Sequence, residues 1–346
     1  MTPIEYPFWV WALFFGVVLA ALFVDVGIVN RKSHIPTRKE TFAWSAVWIS
    51  LSVSFGIFVY WMFGAFKAKE FFTGYLIELS LSIDNLFVFL LIFSFFGIPR
   101  KYQHRVLFWG IMGALVMRMI MIFAGAELVE RFHWIIYVFG AFLVFTGIKM
   151  FSPSDENFEP HESLIVKLAT KYIRISKHYD GDKFFVTVDG VRSGTLMLLV
   201  LITVEFSDLI FAIDSIPAIF GITTDRFIVY TSNIFAILGL RTFFFLLADM
   251  AEKFHLLKYG LAFVLTFIGV KMLLPLVGQV ILWTAGDGAT GGTIDFIRRF
   301  VNHEFAQETI NISLAVVGLG IFLSIIFSLL MPPKEKPAEG KESEAE

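Results

Sequence analysis

The sequence predicts an all-α, polytopic membrane protein of about nine transmembrane helices, with an inverted repeat of three plus three helices at its centre. Three observations carry that prediction. The composition suits a bilayer: of 346 residues, 57% are hydrophobic, 17% are charged and 42 are phenylalanine, and the mean hydropathy is +0.75. A soluble domain is nearer half apolar and a quarter charged, so the composition argues against both a soluble enzyme and a disordered chain. Apolar runs of roughly 20 residues, the length that crosses a bilayer, recur along the chain. The chain also repeats itself: Glu127–Met150 matches Asp249–Met272. The net charge of −2 offers no basic face to a nucleic acid. The absence of cysteine removes disulfides, thiolate metal sites and thiol redox chemistry.

The spans read as 8–29, 42–65, 70–97, 104–126, 133–151, 194–220, 227–248, 256–278 and 309–331. The first follows Thr2, Pro3 and Glu5, which lack the positive charge that opens a signal peptide, so it reads as a span. Residues 1–69 then hold two peripheral spans, 70–151 the first three-helix repeat, and 152–193 a polar cytoplasmic connector. Within the connector, Leu164, Ile165, Leu168, Tyr172 and Ile173 suit an amphipathic helix, and Phe184–Val191 an extended piece turning at Asp189-Gly190. Residues 194–278 form the second repeat. Residues 279–308 are an external segment, Gly-rich from Gly286 to Gly292, with a short helix around Phe296–Phe305. The last span, 309–331, is followed by a disordered cytoplasmic tail at 332–346, rich in Pro, Lys and Glu.

Orientation follows from the basic residues. Of the 28 Lys and Arg, Arg118, Arg241 and Lys271 lie inside spans; six (Lys67, Lys69, Arg131, Arg226, Arg298 and Arg299) fall on one side and the other 19 on the opposite side. Loops rich in Lys and Arg stay in the cytoplasm, so the N-terminus is expected outside and the C-terminus inside.

The repeat is legible by eye. Glu127–Met150 and Asp249–Met272 match at a constant offset of 122, with nine of 24 positions identical, among them Glu130/Glu252, His133/His255, Gly147/Gly269 and Lys149/Lys271. Arg118 and Arg241 pair with a drift of one residue. Further upstream, Glu78–Asn85 answers Asp208–Ser215 at an offset of 130: an acid, five residues, an acid, then a small polar residue. Each unit holds three spans, and an odd number inverts the second copy. Many secondary transporters are built this way, with the substrate near the midplane between the halves.

Ionisable groups inside spans are costly and need a partner or a job. They are Asp25, Glu78, Asp84, Arg118, Glu205, Asp208, Asp214 and Arg241, and Asn85, Ser207 and Ser215 sit beside them. Glu78, Ser82 and Asn85 share a helical face, as do Glu205, Asp208 and Ser215. Asp84 lies six residues past Glu78, turned about 120° away, and Asp214 stands likewise to Asp208. Either the helices break near Asp84 and Asp214, a break Pro217 favours, or each acid serves its own point on a path. The acids with Asn85 and Ser215 form a hard oxygen set that suits Mg²⁺, Ca²⁺ or Mn²⁺. Histidine adds no softer site: His133 and His255 fall at span ends and the others read as loop residues. Arg118 and Arg241 read as counter-ions in preference to a direct grip on an anion. Lys149 and Lys271 end their spans and can snorkel.

The stretches Gly74-Tyr75-Leu76-Ile77-Glu78 through Leu81-Ser82-Ile83-Asp84-Asn85-Leu86-Phe87-Val88, then Glu205-Phe206-Ser207-Asp208 through Phe211-Ala212-Ile213-Asp214-Ser215-Ile216-Pro217-Ala218, and Phe235-Ala236-Ile237-Leu238-Gly239-Leu240-Arg241, resemble the TerC family of bacterial integral membrane proteins. The likeness is nearest the family's Alx-like branch, in the wider LysE-type transporter group. It implies an inner-membrane protein that exports Mn²⁺, with tellurium resistance as a family association. It carries Glu78, Asp84, Asn85, Glu205, Asp208, Asp214 and Ser215 over as metal-path residues. Leu196 stands where the family often has a proline, and the 279–308 segment is a second departure. The expected activity is secondary transport of a divalent cation, coupled to protons, in a chain that is not an enzyme and holds no cofactor; Mn²⁺ is its substrate. The alternatives are a non-transporting scaffold for membrane-protein insertion or quality control and a tellurium-resistance protein. The expected partners are the lipid bilayer, the divalent ion and protons; a homodimer or other membrane proteins stay open.

Overall fold

The computed structural model describes residues 6–24, 37–151, 166, 171, 173–176, 181–188, 191–248, 256–285, 291–301 and 306–331. Asp25, His255, the Asp189-Gly190 turn, most of the expected amphipathic helix and the 332–346 tail lie outside them.

Pro7, with its φ already near the helical value, precedes α1 (Phe8–Phe23). Val10, Phe14, Val18 and Ala21 recur every three or four residues and are buried. The opposite face of α1 exposes Phe8, Trp9, Leu19 and Phe23. A helix apolar all round belongs in lipid or a protein core.

Thr37 and Glu40 close a capping box at the start of α2 (Arg38–Phe95). This helix is two arms. Gly64, at φ 86° and ψ 174°, is non-helical, a conformation that only glycine adopts without strain. The Phe55 and Phe71 ring centroids lie 5.7 Å apart, although 16 residues of straight helix would separate them by about 24 Å. Gly56 packs directly under the Phe72 ring. The arms 38–63 and 65–95 therefore fold back on each other as a hairpin. The expected second and third spans are both helical, but one glycine replaces the loop expected at 66–70. Lys67, Lys69 and Glu70 consequently sit on helix.

Next come α3 (Arg100–Arg131), α4 (Ile135–Phe151), and the strands β1 (Phe185–Val188) and β2 (Val191–Gly194). The strands pair antiparallel with Val188 opposite Val191, so the connector ends in the expected hairpin. α5 (Leu196–Phe220) runs without a break through Asp214 and carries Pro217 in its last turn. Gly64 is the sole non-helical point of α2. The breaks considered near Asp84 and Asp214 are thus absent, and the first acid of each pair does face away from the second. The bend falls in the seventh span, between α6 (Arg226–Leu238) and α7 (Leu240–Ala248), which meet at 42°.

α8 (Leu257–Ala285) continues past the expected end at 278. The short helix expected around 296–305 is α9 (Gly292–Val301), which starts earlier, and α10 (Ala306–Leu330) follows. Among the described residues, five helices are long and apolar enough to cross a membrane when both arms of α2 are taken as one, six if α6 and α7 form one bent span. At 16 and 17 residues, α1 and α4 are shorter than the roughly 20 of a straight crossing. The nine expected crossings are therefore not all matched by helices of full length.

The contact between α4 and α8 shows how the two halves meet. A β-carbon on Gly269 would fall 2.6 Å from the Gly140 carbonyl oxygen and 2.7 Å from the Val144 nitrogen. One on Gly147 would fall 2.8 Å from both the Ala262 carbonyl oxygen and the Thr266 nitrogen. Adding the repeat offset of 122 converts Gly147, Gly140 and Val144 into Gly269, Ala262 and Thr266. The contact is its own image. Because higher numbers on one helix meet lower numbers on the other, the helices run antiparallel, and the local two-fold lies across them. An inverted repeat requires such an axis.

Candidate functional site

The second arm of α2 presents Glu78, Ser82 and Asn85 on one face, all buried. α5 presents Asp208 and Ser215, and α3 presents Arg118. Glu78 and Arg118 are each only 1% exposed and Asp208 4%. Arg118 forms an ion pair with Glu78. It also donates to both oxygens of Asp208, Nη2 to Oδ1 at 3.2 Å and Nε to Oδ2 at 3.3 Å, and from Nη1 to Ser215 Oγ at 3.4 Å. Ser82 Oγ donates to Glu78 Oε1 at 3.5 Å. One buried guanidinium thus joins the equivalent acids of the two repeats. Charges so placed are tolerated only when paired. With both acids ionised, the trio still carries one net negative charge. Glu78 Oε2 and Asn85 Nδ2 are buried with no hydrogen-bond partner.

Asp84, Glu205 and Asp214 are half-buried. The Glu205 carboxylate lies against Gly113 of α3, where a β-carbon would collide with it. Asp208 lines a small, mostly apolar cavity with Phe89, Leu107, Gly110, Ala114 and Leu240. Among the described residues, no three His, Asp or Glu side chains stand close enough together to hold a metal ion. The structure therefore gathers Glu78, Asp208 and Ser215 on Arg118 and leaves the remaining acids dispersed along the same two helices.

Arg241 does not repeat the role of Arg118 in bridging Glu78 and Asp208; its Nη2 lies 2.9 Å from His104 Nδ1. His104 is buried on α3. The expectation that it belongs to a loop is corrected by α3 starting at Arg100, one helical turn earlier. Lys271 donates to Ser313 Oγ of α10 at 3.0 Å. Asn233 of α6 is fully buried with both amide atoms unpartnered. No repeat or spacing signal marks it in the sequence.

A second polar cluster closes one end of the bundle. Lys67 Nζ lies 2.7 Å from Asp225 Oδ2 and 2.8 Å from Glu70 Oε2, and the Tyr6 hydroxyl donates to Asp225 Oδ2 at 2.6 Å. Asp225 also caps α6, accepting from Phe227 N and Ile228 N. Arg226 pairs with Glu127 and Glu130 of α3, and Lys69 donates to Asn311 at 2.6 Å. Four of the six basic residues assigned to one side by the charge count, Lys67, Lys69, Arg131 and Arg226, gather here. At the other end Arg105 pairs with Asp182 of the connector at 2.5 Å. Burial pulls the Lys67 ammonium down, but Glu70 and Asp225 outweigh it and hold its pKa above the usual 10.5. Burial and the neighbouring Asp225 push the Tyr6 phenol up.

Comparison with known proteins agrees with this architecture. Residues 63–336 match the family described as "Integral membrane protein TerC family". A Myxococcus xanthus protein, "Uncharacterized membrane protein STKORF319", is 53% identical over 262 residues, 76% of this chain and 82% of its own length. An "Uncharacterized membrane protein" of Rickettsia bellii is 44% identical over 319 residues, 91% and 97% of the two chains. The Escherichia coli protein named "Putative membrane-bound redox modulator Alx" is 47% identical over 273 residues, 76% and 85% of the two chains. No solved structure matches.

Proposed function

Because this chain belongs to the TerC family of integral membrane proteins, we propose that it is a secondary transporter that exports a divalent cation, Mn²⁺, through its intramembrane carboxylates in exchange for protons. The observation that carries this reading is the Arg118 bridge. A structural ion pair needs one acid per base, yet Arg118 holds two acids, one from each repeat. Two further acids, Glu205 and Asp214, lie half-buried on α5, the helix that carries Asp208. A scaffold has no need for that surplus of buried negative charge, which is costly in a bilayer. A cation path needs it. Carboxylates are also hard ligands and proton acceptors, so one set of groups can carry either ion.

We place the protein in the bacterial inner membrane with its N-terminus outside and its C-terminus in the cytoplasm, on the 19-to-6 division of its basic residues. It acts as a carrier and not as an enzyme. The redox role in the name of the Escherichia coli relative fits this reading if it is exerted through the cargo, since the chain has no thiol. The test is Mn²⁺ flux in vesicles of the purified full-length protein, with and without an imposed pH gradient. Flux that is absent in both conditions removes the transporter reading and moves weight to a scaffold role.

A further inference from the structure

We propose that Arg118 is a tethered competitor of the transported cation: guanidinium and divalent ion take turns between Glu78 and Asp208. The proposal rests on the transporter reading above and adds a mechanism for loading and release. Four oxygens converge on this one guanidinium: Glu78 Oε1, both carboxylate oxygens of Asp208, and Ser215 Oγ. That donor set of carboxylates and a hydroxyl is also what a hard divalent cation selects. Two carboxylates against one guanidinium leave a unit of negative charge, whereas a doubly charged ion in the guanidinium's place would leave none. The arginine also leaves Glu78 half used. Oε2 of this 1%-exposed residue has no partner, whereas an ion with six or more oxygen ligands would take it.

The repeat supports the same view. The acids are equivalent positions in the two halves, so the point between them lies close to the axis that relates α4 to α8. A transporter with inverted halves holds its cargo at such a point. Arg118 comes from neither of the helices that supply the acids. It can therefore withdraw while the acids stay fixed. Its repeat counterpart Arg241 contacts His104, so an arginine at this place in the repeat has partners other than this pair of acids.

A competitor of this kind scales apparent affinity down to the fraction of time it leaves the site free, and it helps expel the cargo. The test uses purified full-length protein in detergent for Mn²⁺ binding, at alkaline pH so that protons do not replace the arginine, and vesicles for flux. Arg118→Gln should bind Mn²⁺ at least about tenfold more tightly than wild type, if the site is free of the guanidinium a tenth of the time or less, while its flux falls. Arg118→Lys keeps the charge but loses the planar fork, so it should bind about threefold more tightly than wild type and retain part of the flux. The lysine variant keeps the test decisive if the glutamine variant fails to fold. Binding that is unchanged or weaker in the variants, with wild type binding normally, would make Arg118 a structural counter-ion and overturn the proposal. If wild type itself neither binds nor moves Mn²⁺, the transporter reading falls first and takes this one with it.

Discussion

Gly269→Ala adds one methyl group at the tightest point between α4 and α8, and two effects compete. Replacing a helical glycine by alanine gains up to about 1 kcal/mol of helix stability. Against that, the new carbon would sit 2.6 Å from the Gly140 carbonyl oxygen and 2.7 Å from the Val144 nitrogen. Both are backbone atoms, so no side chain can turn aside. Relaxing toward the roughly 3.5 Å of ordinary contact requires the helices to part by about 1 Å, and overpacking of this kind costs about 1–3 kcal/mol. With backbone on both sides of the new carbon the clash is expected to win, with a net loss of up to about 2 kcal/mol. Thermal unfolding of the detergent-solubilised protein should show a midpoint lowered by a few degrees. Gly147→Ala should cost a similar amount, because it faces the equivalent backbone atoms across the same seam. Gly318→Ala is the control: it has nothing within 4 Å and should be neutral or stabilising. If Gly269→Ala is as stable as Gly318→Ala, the close approach of α4 and α8 is not what holds the halves together.

Asp84→Asn and Asp214→Asn should each abolish Mn²⁺ export while the protein stays in the membrane; cellular Mn content and growth in excess Mn are the measures, and normal export by both variants removes them from the path. Gly113→Ala should displace the Glu205 carboxylate and lower flux more than thermal stability, since Glu205 can swing away; equal losses would mark Glu205 as structural. Lys67 should give the protein an alkaline limit. Its pKa is raised in the folded state above the usual 10.5, so its contribution is fully present below that value and fades as pH rises through the folded pKa. Lys67→Met should therefore be less stable at neutral pH and lose less on going to high pH; parallel wild-type and variant profiles would refute it.

Much of this architecture is written locally. Matched Glu, His, Gly and Lys positions reveal the repeat, and the α4–α8 seam shows that Gly147 and Gly269 recur because each must meet backbone. The acid pairs stand on the two helices expected to carry them, and the charge count sorts Lys67, Lys69, Arg131 and Arg226 to one end. What escaped reading is of two kinds. Reversals and bends at single glycines leave little trace: Phe63-Gly64-Ala65 and Leu238-Gly239-Leu240 look like uninterrupted apolar helix, and only the torsion at the first and the 42° angle at the second expose the break. Partnerships across the fold leave none. The ion pair from Arg118 to Asp208 spans 90 residues and that from Lys67 to Asp225 even more, so the sequence shows that Arg118 needs an acid without showing that it takes two. The same holds for His104, whose arginine partner lies 137 residues away.

The self-matching seam between α4 and α8 has a bearing on ancestry. A surface that binds its own copy across a two-fold is what two identical chains need to pair. A three-helix precursor inserted into the membrane in both senses would therefore have met its oppositely inserted twin through these glycines. Joining the copies through residues 152–193 fixes the ratio of the two senses at one to one and replaces a search in the bilayer with an encounter inside one polypeptide, at a far higher effective concentration. Once joined, the halves are free to diverge: one keeps Arg118 on both acids, while the other turns Arg241 to His104.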